Sequence, residues 1–149
     1  MKGCLIMNTF YAILVVYNQS IQDSCTYRFI KEHKSIHLIV CDNSTSDYGN
    51  KFVVESDGYT YINMHGNNGI SKAYNAALDL LKDKCGYVIL LDDDTILNEE
   101  YYNSILKLTC DIAVPIVKDE KSILSPCKMV NGVVSRWDGK EKLNQFTAI

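Results

Sequence analysis

The sequence predicts an α/β fold in which a mostly parallel sheet is flanked by helices. Two observations carry this prediction. Four apolar runs, Tyr11 to Val16, Leu38 to Cys41, Tyr59 to Met64 and Val88 to Leu91, punctuate the first two thirds of the chain, and three are nearly continuous, as strands buried on both faces are. Segments able to form helices lie between them, and a repeated strand, helix, strand order gives a layered domain with right-handed crossovers. With 149 residues, 47% of them hydrophobic, the chain supplies one core and is short for two, so one globular domain is expected.

The first run, YAILVV, follows Met1 and Lys2 closely enough to suggest a leader peptide. Asn8 and Thr9 interrupt the apolar stretch and no small-residue cleavage site follows, so it reads as a core strand. Ser20 to His33 is a weak helix candidate. The clearest helix is Ile70 to Leu81, where Ile70, Ala73, Tyr74, Ala77, Leu78 and Leu81 recur at helical spacing and lysines with Gly86 close the end. Beyond the fourth strand, Tyr101 to Leu108 suggests another helix and Ile112 to Val117 a further strand despite Pro115. Val130 to Val134 contains an Asn-Gly step that suggests a hairpin.

Composition excludes several classes. A net charge of -3 without a basic run offers no footprint for nucleic acid. Six cysteines stand far apart with no CxxC pair, which reads as reduced, mostly buried thiols and no zinc site. No stretch reaches the roughly 20 apolar residues of a membrane-spanning helix.

The chemistry collects after the apolar runs. Tyr17-Asn18 follows the first, Asp42-Asn43-Ser44 the second, His65-Gly66-Asn67-Asn68-Gly69 the third and Asp92-Asp93-Asp94 the fourth. In an open parallel sheet all four emerge at one carboxyl edge, where such folds bind ligands. On an extended strand Asp92 and Asp94 project to one side and Asp93 to the other. Three adjacent carboxylates repel one another, and a Mg2+ or Mn2+ ion completed by diphosphate oxygens offsets that repulsion. The plainer alternative is an acidic, solvated turn that caps the helix after Asn98. Asp42 suits a ribose hydroxyl or a base N–H, and equally suits an Asx turn. The glycines of Gly66-Asn67-Asn68-Gly69 allow close approach of a phosphate or sugar. His33, His37 and His65 are scattered and receive no ligand role, and no nucleophile triad is present.

In order and spacing, VVYNQ, IVCDNS, GNNGISKAYNAAL and VILLDDDT resemble the donor half of family 2 glycosyltransferases, particularly rhamnosyltransferase-like members, over roughly residues 11 to 97. The resemblance implies a Rossmann-like GT-A domain with its core at 11–117, 118–149 opening an acceptor-side region. It implies a nucleoside diphosphate sugar donor, UDP- or dTDP-linked, and inverting transfer to a saccharide or glycolipid acceptor. Carried onto this chain, Tyr17, Asn18 and Asp42 contact the nucleoside, and Asn68 and Gly69 line the donor pocket. Asp92 approaches ribose or metal, Asp94 ligates the metal, and Lys72 either aids phosphate binding or is simply solvated. The setting it implies is cytoplasmic, peripheral to the inner face of a membrane.

One departure qualifies that expectation. Family members draw a general base, worth roughly 100- to 10,000-fold in rate, from a downstream acidic motif. Glu120, Asp138 and Glu141 match no such motif, so no catalytic base is assigned and the chain is expected to be a shortened form. A non-catalytic fragment that binds a nucleotide sugar or a partner is therefore the alternative, and apolar surface left uncovered favours a homodimer. VILLDDDTIL also resembles the haloacid-dehalogenase phosphatase motif, but lacks its Gly before Thr95 and follows three other strands.

Overall fold

Strand β1, Phe10–Val16, is buried along its length except at Tyr11. Parallel strands lie on both of its edges, β2 (Ile36–Asp42) on one and β4 (Tyr87–Asp92) on the other, with β3 (Thr60–Asn63) beyond β2. The resulting order β3-β2-β1-β4 is parallel throughout, as the continuous apolar runs predict. The structure is a computed structural model and describes residues 9–111, 113, 117–118, 123–125, 127–130 and 133–136. The chain divides into two compact units, Met1–Lys107 and Leu108–Ile149.

Helices cover both faces of the sheet at β1 and β2, while Val88 and Leu90 of β4 stay exposed. Ile13, Val15, Ile39 and Cys41 form one apolar layer with Ala73, Ala77 and Leu81 of helix α3, Ile70–Leu81. The two alanines let the helix settle close, and the Cys41 thiol reaches the Ala73 carbonyl at 3.3 Å. The opposite face carries Ile36, Ile89 and Leu91, which share an apolar crevice with Phe29 and Ile30 of helix α1 (Cys25–Glu32) and Tyr101 and Ile105 of helix α4 (Glu99–Ile105). Ser24 caps α1 by accepting the Tyr27 N–H, and Asn98 caps α4 by accepting the Tyr101 N–H at 2.8 Å. Glu99 and Glu100 in the first turn of α4 complement its dipole.

Helix α2, Asn50–Ser56, was not expected from the sequence. Its buried residues are Asn50 and Val54 alone, and Phe52 is 79% exposed, so no apolar stripe marks it. The weak signal at Ser20 to His33 resolves into a 3-10 turn, Ile21–Asp23, followed by α1.

In the second unit β5 (Val117–Lys118) pairs antiparallel with β6 (Ile123–Ser125), and β7 (Cys127–Val130) with β8 (Val133–Arg136). Val130 stands opposite Val133, as the hairpin expected there requires. Of the strand expected at 112–117, residues 112 and 114–116 lie outside the described residues, as do Glu120, Asp138 and Glu141. Among the described residues no helix is long and apolar enough to cross a membrane.

Candidate functional site

All four polar clusters lie at the carboxyl edge of the parallel sheet. Asp42, the last residue of β2, is buried, 5% exposed, and its carboxylate is held from three sides. The Asn50 amide donates to Oδ2 at 2.9 Å, the Tyr61 hydroxyl to the same oxygen at 3.0 Å, and the Ser44 N–H to Oδ1 at 2.9 Å. A carboxylate offers about four acceptor positions, so the described residues take three and leave one on Oδ1. The Asx-turn reading of Asp42 is seen directly in the Ser44 bond. Burial, then the Asp42 charge and its hydrogen bond, raise the Tyr61 hydroxyl above the ordinary tyrosine range.

Asn50 is the residue that sequence reasoning missed. Fully buried, it donates to Asp42 and to the Gln19 carbonyl at 3.1 Å, while its own oxygen accepts the Ile21 N–H at 2.7 Å. One amide thus joins the loop after β1, the end of β2 and the start of α2. An asparagine ahead of an undetected helix carries no signal by itself. Tyr61, at the centre of β3, was equally silent, because a strand tyrosine reads as packing.

After β1, Tyr17 is half exposed and Asn18 adopts a left-handed conformation, φ 50°, that asparagine tolerates. The Asn18 N–H donates to Ser44 Oγ, and its side-chain oxygen accepts from the Thr45 N–H, each at 2.9 Å. Across β2, the loop after β3 is bound at Asn68, whose N–H points to Asn43 Oδ1 at 3.4 Å and whose amide donates to the Met64 carbonyl. Gly69 leads into α3 with φ 84° and ψ 154°, a conformation that only glycine adopts readily. Lys72 is exposed in the first turn of α3.

At the end of β4 the alternation of an extended strand stops at Asp92. Thr95 N–H turns back to the Asp92 carbonyl at 3.4 Å, so Asp93 and Asp94 occupy the centre of a turn. The three carboxylates are not equivalent. The Gln19 amide engages the Asp93 side chain, and the Tyr74 hydroxyl of α3 lies 3.4 Å from Asp92 Oδ1. Asp94 is exposed and takes no protein partner among the described residues. Burial and the Asp92 charge push the Tyr74 hydroxyl up to about 12. Two exposed carboxylates with open lone pairs suit a hard divalent cation. No group of three or more His, Cys, Asp or Glu is arranged around a metal among the described residues, so other coordination positions would fall to ligand oxygens or water.

Beside Asp42 a cleft of about 840 Å³ opens, lined by Ser44, Asp47, Lys51, Tyr61, His65 and Gly66 among others. Its size is that of a small-molecule site. The sequence model of glycosyl transferase family 2 matches residues 11–121. The chain belongs to this glycosyltransferase family. A comparison with individual curated proteins gives no match. Its four parallel strands and flanking helices are the Rossmann-like arrangement expected of a GT-A domain. Family membership associates the first unit with nucleotide-sugar donors and glycosyl transfer in general. The match covers β1 to β4 and all four motifs at the carboxyl edge.

Proposed function

We propose that this domain binds a nucleoside diphosphate sugar, UDP- or dTDP-linked, together with Mn2+ or Mg2+. The observation that carries the reading is the inequivalence of the three aspartates: Asp93 is committed to Gln19, whereas Asp94 is exposed and its oxygens meet no partner among the described residues. Asp94 and Asp92 would hold the cation. The open acceptor position on Asp42 would take a base N–H or a ribose hydroxyl, and Tyr17, Asn18, Asn68 and Gly69, which stand outside the lining of the cleft at the same sheet edge, would meet the donor as it extends toward Asp92. When bound, the cation would offset negative charge on the departing diphosphate.

Transfer would proceed to a saccharide or glycolipid acceptor at the cytoplasmic face of a membrane, in the manner of rhamnosyltransferase-like members. Without an assigned base, donor binding without turnover is the second reading. Self-association through Val88 and Leu90, exposed on β4, belongs to the same proposal, and a monomer in light scattering at high concentration rules it out.

The deciding experiment is a thermal-shift titration with UDP, dTDP, GDP and ADP, with and without Mn2+, and Asp94→Ala as control. Stabilisation by UDP or dTDP that requires metal and is lost in the variant supports the proposal. No response to any of the four overturns it.

A further inference from the structure

The turn that carries the aspartates does not hold itself. Its one internal main-chain bond, Thr95 N–H to the Asp92 carbonyl, is long at 3.4 Å. Shorter bonds reach it from the start of α1. Ser24 Oγ donates to the Asp93 carbonyl at 2.6 Å while accepting the Tyr27 N–H as the helix cap. Thr26 Oγ1 lies 2.7 Å from the Asp92 carbonyl and 2.8 Å from that of Thr95, its single proton shared between them. The Cys25 thiol faces the Asp93 and Thr95 carbonyls at 3.9 and 3.5 Å.

Ser24 is 2% exposed and Thr26 0%. Threonine in a first helical turn commonly bonds within its own helix or faces water, and a buried site on α1 that served packing alone would suit valine. Here the hydroxyl is turned out of the helix onto a loop 66 or more residues away.

We propose that Ser24 and Thr26 are positioning residues for the acidic turn. By fixing the carbonyls of Asp92, Asp93 and Thr95 they set the direction in which the Asp92 and Asp94 carboxylates leave the sheet edge. A cation shared between two carboxylates and a diphosphate requires its oxygens placed closely, and supporting hydrogen bonds supply that placement. The inference rests on the cation-dependent reading above for its purpose, but the fixing of the turn is separately measurable.

Thr26→Val keeps the shape and removes the hydroxyl; Thr26→Ser restores it. Without ligand, amide hydrogen exchange over residues 93–97 is expected to be about tenfold faster in Thr26→Val and to return in Thr26→Ser, with exchange in β1 unchanged. The Mn2+-dependent part of UDP or dTDP affinity should fall about tenfold in Thr26→Val and recover in Thr26→Ser, while affinity without metal stays constant. If Thr26→Val does not fold, Ser24→Gly removes the Asp93 bond at little cost to the helix cap and is read in the same way. Unchanged exchange at 93–97, or equal weakening with and without metal, overturns the inference. Wild-type protein that binds no nucleotide with Mn2+ would instead remove the functional reading, and the exchange data would still decide whether these hydroxyls hold the turn.

Discussion

Asp42 and Asp92 leave the same edge of the sheet on opposite faces. In the register of the parallel ladder Asp42 lies beside Val16 and Asp92 beside Val15, and successive side chains on β1 alternate between faces. Asp42 therefore turns toward Asn50 of α2, and Asp92 toward Tyr74 of α3. Two strand spacings, about 10 Å, separate them, with Tyr17 and Asn18 at the end of the strand between. A donor that used both would pass over the end of β1, nucleoside on one side and diphosphate on the other.

This separation makes the two halves of the site independent. Asp42→Asn is expected to weaken nucleotide binding with and without Mn2+, and Asp94→Asn only the metal-dependent part. Their effects in calorimetry should add within about 0.5 kcal/mol. A larger coupling would show that the two carboxylates share one contact.

Among the aspartates of the turn, the hydrogen bonds set a rank. Asp94→Asn should cost about tenfold or more in Mn2+-dependent affinity, roughly 1.4 kcal/mol. Asp93→Asn should leave that affinity near the wild-type value, because Gln19 already occupies the Asp93 carboxylate. Equal losses in titrations of the two variants would refute the assignment.

Asn50→Leu would orphan the Ile21 N–H, the Gln19 carbonyl and one acceptor position on Asp42. Each buried polar group left unpaired costs about 1–3 kcal/mol, and partial relaxation brings the expected loss to about 3 kcal/mol in urea unfolding. Tyr61→Phe removes a single bond, and about 1 kcal/mol is expected. Similar midpoints for the two variants would mean that Asn50 does not join the three segments.

Burial moves the Cys41 thiol up from 9.0 to about 11. The folded state then keeps a proton that the unfolded state releases, so stability is full below the unfolded value and declines as pH rises from about 9 toward 11. Complete titration should cost about 3 kcal/mol. Melting temperatures of wild type and Cys41→Ala between pH 8 and 10 provide the check: the variant should show the shallower decline, and parallel curves would exclude Cys41 as its source.

β1, β2 and α3 were legible because burial on both faces writes a continuous apolar run and a helix against a sheet writes a periodic one; β4 carries such a run too, although its Val88 and Leu90 stay exposed. Helix α2 was not, since its buried side chains are one asparagine and one valine. The gathering of polar clusters at one edge follows from parallel topology and was expected. Which face each carboxylate takes was not, because register between strands is a property of the packed sheet and leaves no mark on either strand alone. Extending β4 through Asp94 predicted a shared side for Asp92 and Asp94, whereas the backbone turns at Asp92 as Thr95 folds back. Thr26 and Asn50 escaped notice for a related reason. A buried polar residue declares its role through partners distant in sequence.

The amide of Asn50 also bears on the thermodynamics of recognition. Because Gln19, Ile21 and Asp42 are already tied together in the free protein, the wall beside the cleft is shaped before any ligand arrives. Little chain entropy then remains to be lost on association. Discrimination among bases would come from fit to a fixed outline, and the ligand-free and ligand-bound forms of this wall should superimpose.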